Sequence, residues 1–182
     1  AFEPQESIFR ILKKNFSNNK KVRFINMGLS ERPSNKIFYI NKLSSTSTMS
    51  KFNKNSKYLK FKNMLTRSKK NFIDKYLVKT SSIDIFFKKI KFKNCLLKID
   101  VEGFEYNVLQ GSKSKIGEIN YILIENQFGN LYENKSFNEI KSYLYKKKFK
   151  VLKKFIFPTL HYQDVIFKKF KWEIFVASYP FY

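Results

Sequence analysis

The chain has 182 residues, about the length of one domain, and 43% of them are hydrophobic with 28% charged, which excludes a wholly disordered chain. Lys and Arg number 37 against 14 Asp and Glu, for a net charge of +23. One cysteine, Cys95, and one histidine, His161, exclude an internal disulfide framework, a Cys-rich zinc module and a His-cluster metal site within these residues.

Ala1-Phe2-Glu3-Pro4 reads as the end of a buried strand running into a turn. Ile8, Phe9, Ile11, Leu12 and Phe16 then recur at helical spacing, and Ser17-Asn18-Asn19 closes that helix. A short strand is expected over 22–26, with Met27-Gly28-Leu29-Ser30 as its exit loop, and another over 36–41. Residues 44–72 are polar and rich in Lys and Asn, with few apolar anchors. They read as a partly helical excursion, either a lid or binding loop or a solvated insertion. Regular order resumes with a strand over 76–80 and a short helix capped at Ser82-Ile83-Asp84. Cys95 to Asp100 is an apolar strand ending in a carboxylate, and 104–109 is a helix closed near Gly111. Tyr121 to Glu125 is a second apolar strand ending in an acid, followed by an amphipathic helix over 136–147. Strands over 149–157 and 164–170 close the chain around a turn at Pro158, with one more possible over 172–176.

Alternating strands and helices predict one α/β domain with a mostly parallel sheet and an antiparallel pair at its C-terminal edge. The strands at 95–99 and 121–124 suit positions buried on both faces.

Open α/β sheets bind ligands beyond the carboxyl ends of their strands, and three strands here end in an acid: Glu3, Asp100 and Glu125. Glu3 before Pro4 suits a carboxylate that accepts both hydrogen bonds of a ribose diol, and equally suits an acid facing a helix dipole. Asp100-Val101-Glu102-Gly103-Phe104-Glu105 sets three carboxylates at a strand-to-helix junction. Asp100 would face the crevice, and Glu102 could accept a proton, bind an amine or hold a cation. Glu105 could simply help the helix start. Nearby acids alone do not set coordination geometry, and no metal is expected. Cys95 reads as a buried, inert thiol.

Leu96-Leu97-Lys98-Ile99-Asp100-Val101-Glu102-Gly103-Phe104-Glu105, followed by Val108-Leu109-Gln110-Gly111, closely resembles the signature of the FkbM-type methyltransferases. Ala1 to Pro4, Asn26 to Ser30, Ser81 to Asp84, Ile122 to Glu125 and Asp164 to Phe167 fall in that family's order. The resemblance implies a Rossmann-like class I methyltransferase sheet, S-adenosylmethionine as cofactor, and methylation of a hydroxyl oxygen on a sugar, glycolipid or secondary metabolite. It implies that Glu3 holds the ribose hydroxyls, Met27 and Gly28 border the adenine, and Asp100 lies near the methionine end. Glu102 and Glu125 would line the same crevice. Asp100 or Glu102 is the candidate base, with His161 as the other conventional one. The family also has a first strand and a glycine-rich loop ahead of the Ala-Phe-Glu-Pro piece. Neither is present, so the expectation is a fragment that is inactive and poorly stable alone.

The charge has a compositional explanation. It comes from 33 Lys and only 4 Arg, and Lys, Asn, Ile, Phe and Tyr, with A/T-rich codons, make up more than half of the chain. Readers of phosphate and base edges lean on Arg. A small-molecule or glycan acceptor is therefore expected rather than a specific nucleic acid; the alternative is a basic α/β module binding nucleic acid or an anionic membrane surface. No run of about 18 apolar residues predicts a transmembrane helix, and no basic start precedes an apolar stretch over 1–20, so the expectation is a cytoplasmic protein.

Overall fold

The computed structural model describes residues 1–41, 46–56, 59–60, 64, 72–129, 131–156 and 162–170. The turn at Pro158, His161 and the possible strand over 172–176 lie outside these residues. In chain order the elements are α1 (Glu6–Asn15), β1 (Gly28–Leu29), β2 (Ser34–Ile40), β3 (Asp74–Ser81), α2 (Ile83–Phe86) and β4 (Cys95–Ile99). There follow α3 (Glu105–Gln110), a 3-10 turn (Lys115–Glu118), β5 (Ile119–Gln127), α4 (Phe137–Lys146), β6 (Phe149–Ile156) and β7 (Tyr162–Lys169).

Two sheets form, ordered β1-β3-β2 and β4-β5-β7-β6. The pairs β1–β3 and β4–β5 are parallel; β2–β3, β5–β7 and β6–β7 are antiparallel. The expected antiparallel C-terminal pair is present; β4, β5 and β6 run in one direction and β7 alone runs against them. β7 returns after β6 without a crossover helix and slots between β5 and β6, which makes it antiparallel to both.

The expected strand over 22–26 reduces to one parallel bridge between Phe2 and Ile25. Ile25 N–H donates to the Ala1 carbonyl at 2.9 Å and the Glu3 N–H donates to the Ile25 carbonyl at 3.0 Å. The Met27 N–H donates back to the Ile25 carbonyl at 3.0 Å and the Gln5 N–H to Glu3 Oε1 at 2.6 Å, so the ladder does not lengthen past Glu3. Gly28 and Leu29, expected as loop, instead pair with Thr80 and Ser81.

The main core lies between the four-stranded sheet and helices α2 to α4, where Ile99, Leu109, Ile122, Ile124, Leu144 and Val165 are all essentially sealed from solvent. Burial alternates along β5, with Ile122 and Ile124 sealed while Tyr121 is exposed, and Leu96 on β4 is 58% exposed. One face of these strands is thus buried rather than both. Helix α1 contributes no buried residue, so it does not cover the second face. Ser136 and Glu139 form a reciprocal capping box that starts α4. Ser82 accepts from the Ile85 N–H and starts α2.

Residues 46–56 are not a solvated insertion: Thr48, Ser50, Phe52 and Ser56 are buried. Tyr39 on β2, Phe72, Phe52 and Tyr132 stack as a column, with successive ring centroids 4.5, 4.5 and 5.2 Å apart. The column spans from the three-stranded sheet to the loop after β5.

Candidate active site

The site begins with register. In the parallel pair β4–β5, Ile99 lies opposite Ile124, so the next residues, Asp100 and Glu125, emerge side by side at the same end of the sheet. The chain then turns sharply. Glu102 and Gly103 both have left-handed backbones, with φ of +54° and +86°, before α3 begins. That reversal brings the Glu102 carboxylate back over the strand ends. Asp100, Glu102 and Glu125 each offer an oxygen within 4.8 Å of the others. Lys98 Nζ pairs with Asp100 at 2.9 Å and offsets part of this charge.

Three segments hold the turn. Thr48 Oγ1 donates to the Glu102 carbonyl at 2.6 Å, and Ser50 Oγ donates to the Gly103 carbonyl at 2.8 Å. Asn134 Nδ2 also donates to the Gly103 carbonyl. The Gly103 N–H donates to Glu105 Oε1 at 2.9 Å. Glu105 therefore does more than start a helix: it is buried and ties α3 to the turn. The Glu102 side chain is fixed separately. Tyr132 OH donates to its Oε2 at 3.0 Å, and Gln127 Nε2 donates to the same oxygen.

Burial dominates the acidity here. It pushes Glu102 up to about 7, aided by the negative charges of Glu125 and Asp100 and opposed by the hydrogen bonds from Tyr132 and Gln127. Glu105 is likewise pushed up to about 7, chiefly by burial. Glu125 is raised by burial and by Asp100. A carboxyl poised near neutrality can take up a proton at physiological pH and release it again.

A cleft of about 690 Å³ runs from these strand ends along β4. Ala1 to Gln5 form one wall, and the whole of β4 with Asp100, Val101 and Glu102 forms another. Glu3 is half-buried there, its carboxyl raised by burial, and its Oε1 accepts the Gln5 N–H at 2.6 Å. Gly28 lines the same cleft; a Cβ at that position would meet Met49 Cε at 3.2 Å.

The cleft thus gathers Glu3, Gly28, Asp100 and Glu102. Met27 is next to it but not on its wall. Glu125 lines a separate pocket, although its carboxylate touches the cluster. His161 lies outside the described residues. Cys95 lines the cleft and is only partly buried, with burial and the nearby Glu118 raising its thiol pKa.

Tyr132, Gln127, Asn134, Thr48 and Ser50 were not singled out from the sequence. Their partners lie 25 to 54 residues away along the chain, so no local spacing marks them. The one local signal is the Glu-Gly pair itself, because Gly103 permits the left-handed backbone.

A family model described as the methyltransferase FkbM domain matches residues 1–151. No curated protein and no solved structure matches the chain. The match begins at the Glu3 wall, takes in every acid of the cluster and reaches into β6, and by it the chain belongs to the FkbM methyltransferase domain family.

Proposed function

We propose, against the expectation that it is inactive alone, that this chain transfers a methyl group from S-adenosylmethionine to a hydroxyl oxygen of a sugar, glycolipid or secondary metabolite. The observation that carries this reading is one cleft with Glu3 on one wall and Asp100 and Glu102 on another, in a chain of a methyltransferase family. Its volume of about 690 Å³ is within the usual range for cofactor sites.

The residues present fit the cofactor. Glu3 is an acid on a largely apolar wall, suited to a ribose diol, and Leu29, Met49 and Phe87 offer apolar surface for a base. Gly28 leaves open the space that a Cβ would take beside Met49. Glu3 would hold the ribose hydroxyls, Gly28 the adenine side, with Met27 behind it off the wall, and Asp100 the methionine end. When bound, S-adenosylmethionine supplies an electrophilic methyl group.

Glu102 is the base in this reading. Both of its hydrogen bonds fall on Oε2, which leaves Oε1 to receive the acceptor's hydroxyl proton. The left-handed turn and the Tyr132 contact orient the carboxylate before the acceptor arrives, so little reorganisation accompanies proton transfer. Asp100 and Glu125 keep the site acidic and favour the protonated product state of Glu102.

The test pairs two measurements. S-adenosylhomocysteine should bind the wild-type chain in calorimetry, and Glu3→Ala should weaken it by roughly tenfold or more, the worth of a charge-assisted hydrogen bond. Labelled-methyl transfer to hydroxylated acceptors should fall by roughly 10²- to 10⁴-fold in Glu102→Gln with S-adenosylhomocysteine affinity kept. An unchanged transfer rate removes Glu102 from the mechanism, and no binding to the wild-type chain removes the cofactor.

A further inference from the structure

A second hollow adjoins the cleft. It has a volume of about 380 Å³ and lies beyond β5, against the start of α4. Resting on the methyl-transfer reading above, we infer that this pocket is the acceptor site, and that its ligand is a neutral, polyhydroxylated molecule of about the size of one sugar ring.

Continuity comes first. Glu125 lines this pocket, and its carboxylate lies within 4.8 Å of Asp100 and Glu102, which line the cleft. Gln127 and Tyr132, the two donors to Glu102, also line the pocket. Glu102 lines the cleft, and its two donors line the pocket, so one hydrogen bond separates the two linings. A ligand seated in the second one would touch Glu125, whose carboxylate lies within 4.8 Å of Glu102.

The lining gives the chemistry. Asn126, Gln127 and Asn134 are amides that both donate and accept, as hydroxyls do. Gln127 Oε1 is buried without a hydrogen-bond partner among the described residues, so a ligand donor would satisfy it. Phe128 and Phe137 add apolar surface, and Phe128 is 36% exposed. Flat apolar surface beside a few fixed polar groups suits a ring with a C–H face and a hydroxyl rim.

Charge disfavours the other ligand classes. Glu105 and Glu125 line the pocket, and its one cation, Lys135, is already paired with Glu139 at 2.7 Å. An anionic ligand would meet the Glu125 carboxylate with no unpaired cation among the lining residues. An ammonium ligand would need fully ionised carboxylates, whereas burial holds Glu105 and Glu102 towards their neutral forms at neutral pH.

The test is a titration of the isotopically labelled 182-residue chain followed by nuclear magnetic resonance. Methyl β-D-glucopyranoside and myo-inositol are the probes, with ethanolammonium and inorganic phosphate as charge controls. The neutral probes should shift the side-chain amides of Gln127 and Asn134 and the ring of Phe128. Gln127→Met should weaken that binding roughly tenfold, the value of one lost neutral hydrogen bond. Phe128→Ala is a second variant, at a half-open position, and should weaken it as well. The proposal is overturned if neither neutral probe moves these resonances, or if only ethanolammonium or phosphate does. S-adenosylhomocysteine titrated in parallel should shift Gly28 and Glu3. A silent cleft beside a responsive pocket would defeat the cofactor reading and leave the hydroxyl site standing; a responsive cleft beside a silent pocket would do the reverse.

Discussion

A Cβ at Gly103 would lie 2.4 Å from the Tyr132 ring, closer than any real side-chain contact. The absent side chain is what lets that ring pack on the turn and its hydroxyl reach Glu102. The backbone demands glycine independently, since φ is +86°. Gly103→Ala therefore combines backbone strain of roughly 1–3 kcal/mol with overpacking of similar size. Chemical denaturation should show a loss of that order, and Glu102 should lose its Tyr132 hydrogen bond in the same variant. Glu102 itself occupies a left-handed backbone without being glycine, the kind of conformation that clusters at functional positions.

At the scale of elements, the segment 46–56 braces the turn as a third layer. Its backbone exchanges hydrogen bonds with the loop after β5: the Asn53 N–H donates to the Leu131 carbonyl at 2.9 Å and the Glu133 N–H to the Lys51 carbonyl at 2.8 Å. Phe52, 7% exposed, anchors it by stacking on Phe72 and Tyr132. Phe52→Ala should cost roughly 3–5 kcal/mol if the gap stays open. Hydrogen exchange should find the Asn53 and Glu133 amides deprotected first, ahead of β5 and β7. This segment was the part of the fold least legible in the sequence. Its buried residues are Ser, Thr and one isolated Phe, and their partners are the carbonyls of residues some fifty positions away. Ile99-Asp100 was legible because an apolar run marks a strand and the acid after it marks the end, whereas β5 runs on past Glu125 to Gln127, held there by pairing with β7 that no local run reveals. Gly28-Leu29 was misread as loop because its strand character comes only from pairing with Thr80 and Ser81. Burial on both faces was overread from apolar composition, which does not reveal that the face carrying Leu96 and Tyr121 is left uncovered by α1.

Taken whole, the molecule separates its charges. It carries a net +23, yet Glu3, Asp100, Glu102, Glu105 and Glu125 gather at one end of the strands. A polyanion entering there would meet carboxylates, so the basic composition does not describe the site. The acids also set how stability depends on pH. Glu102 and Glu105 titrate near 7 when folded against an ordinary value of 4.5, so between those values the folded chain holds more protons than the unfolded one. Stability therefore falls as pH rises through that window. Glu31 acts oppositely: despite some burial, hydrogen bonds led by Lys36 hold it down to about 2, and its contribution fades only in stronger acid. Thermal unfolding should give a higher midpoint near pH 5 than near pH 8, and Glu105→Gln should flatten the slope. The stacked column from Tyr39 to Tyr132 has a consequence of its own. It ends on a hydroxyl that favours the ionised form of Glu102, so the proton affinity of that carboxylate and the seating of Phe52 are two sides of one equilibrium. Every proton that Glu102 gains loosens the bracing segment by the same free energy with which that segment's release invites the proton.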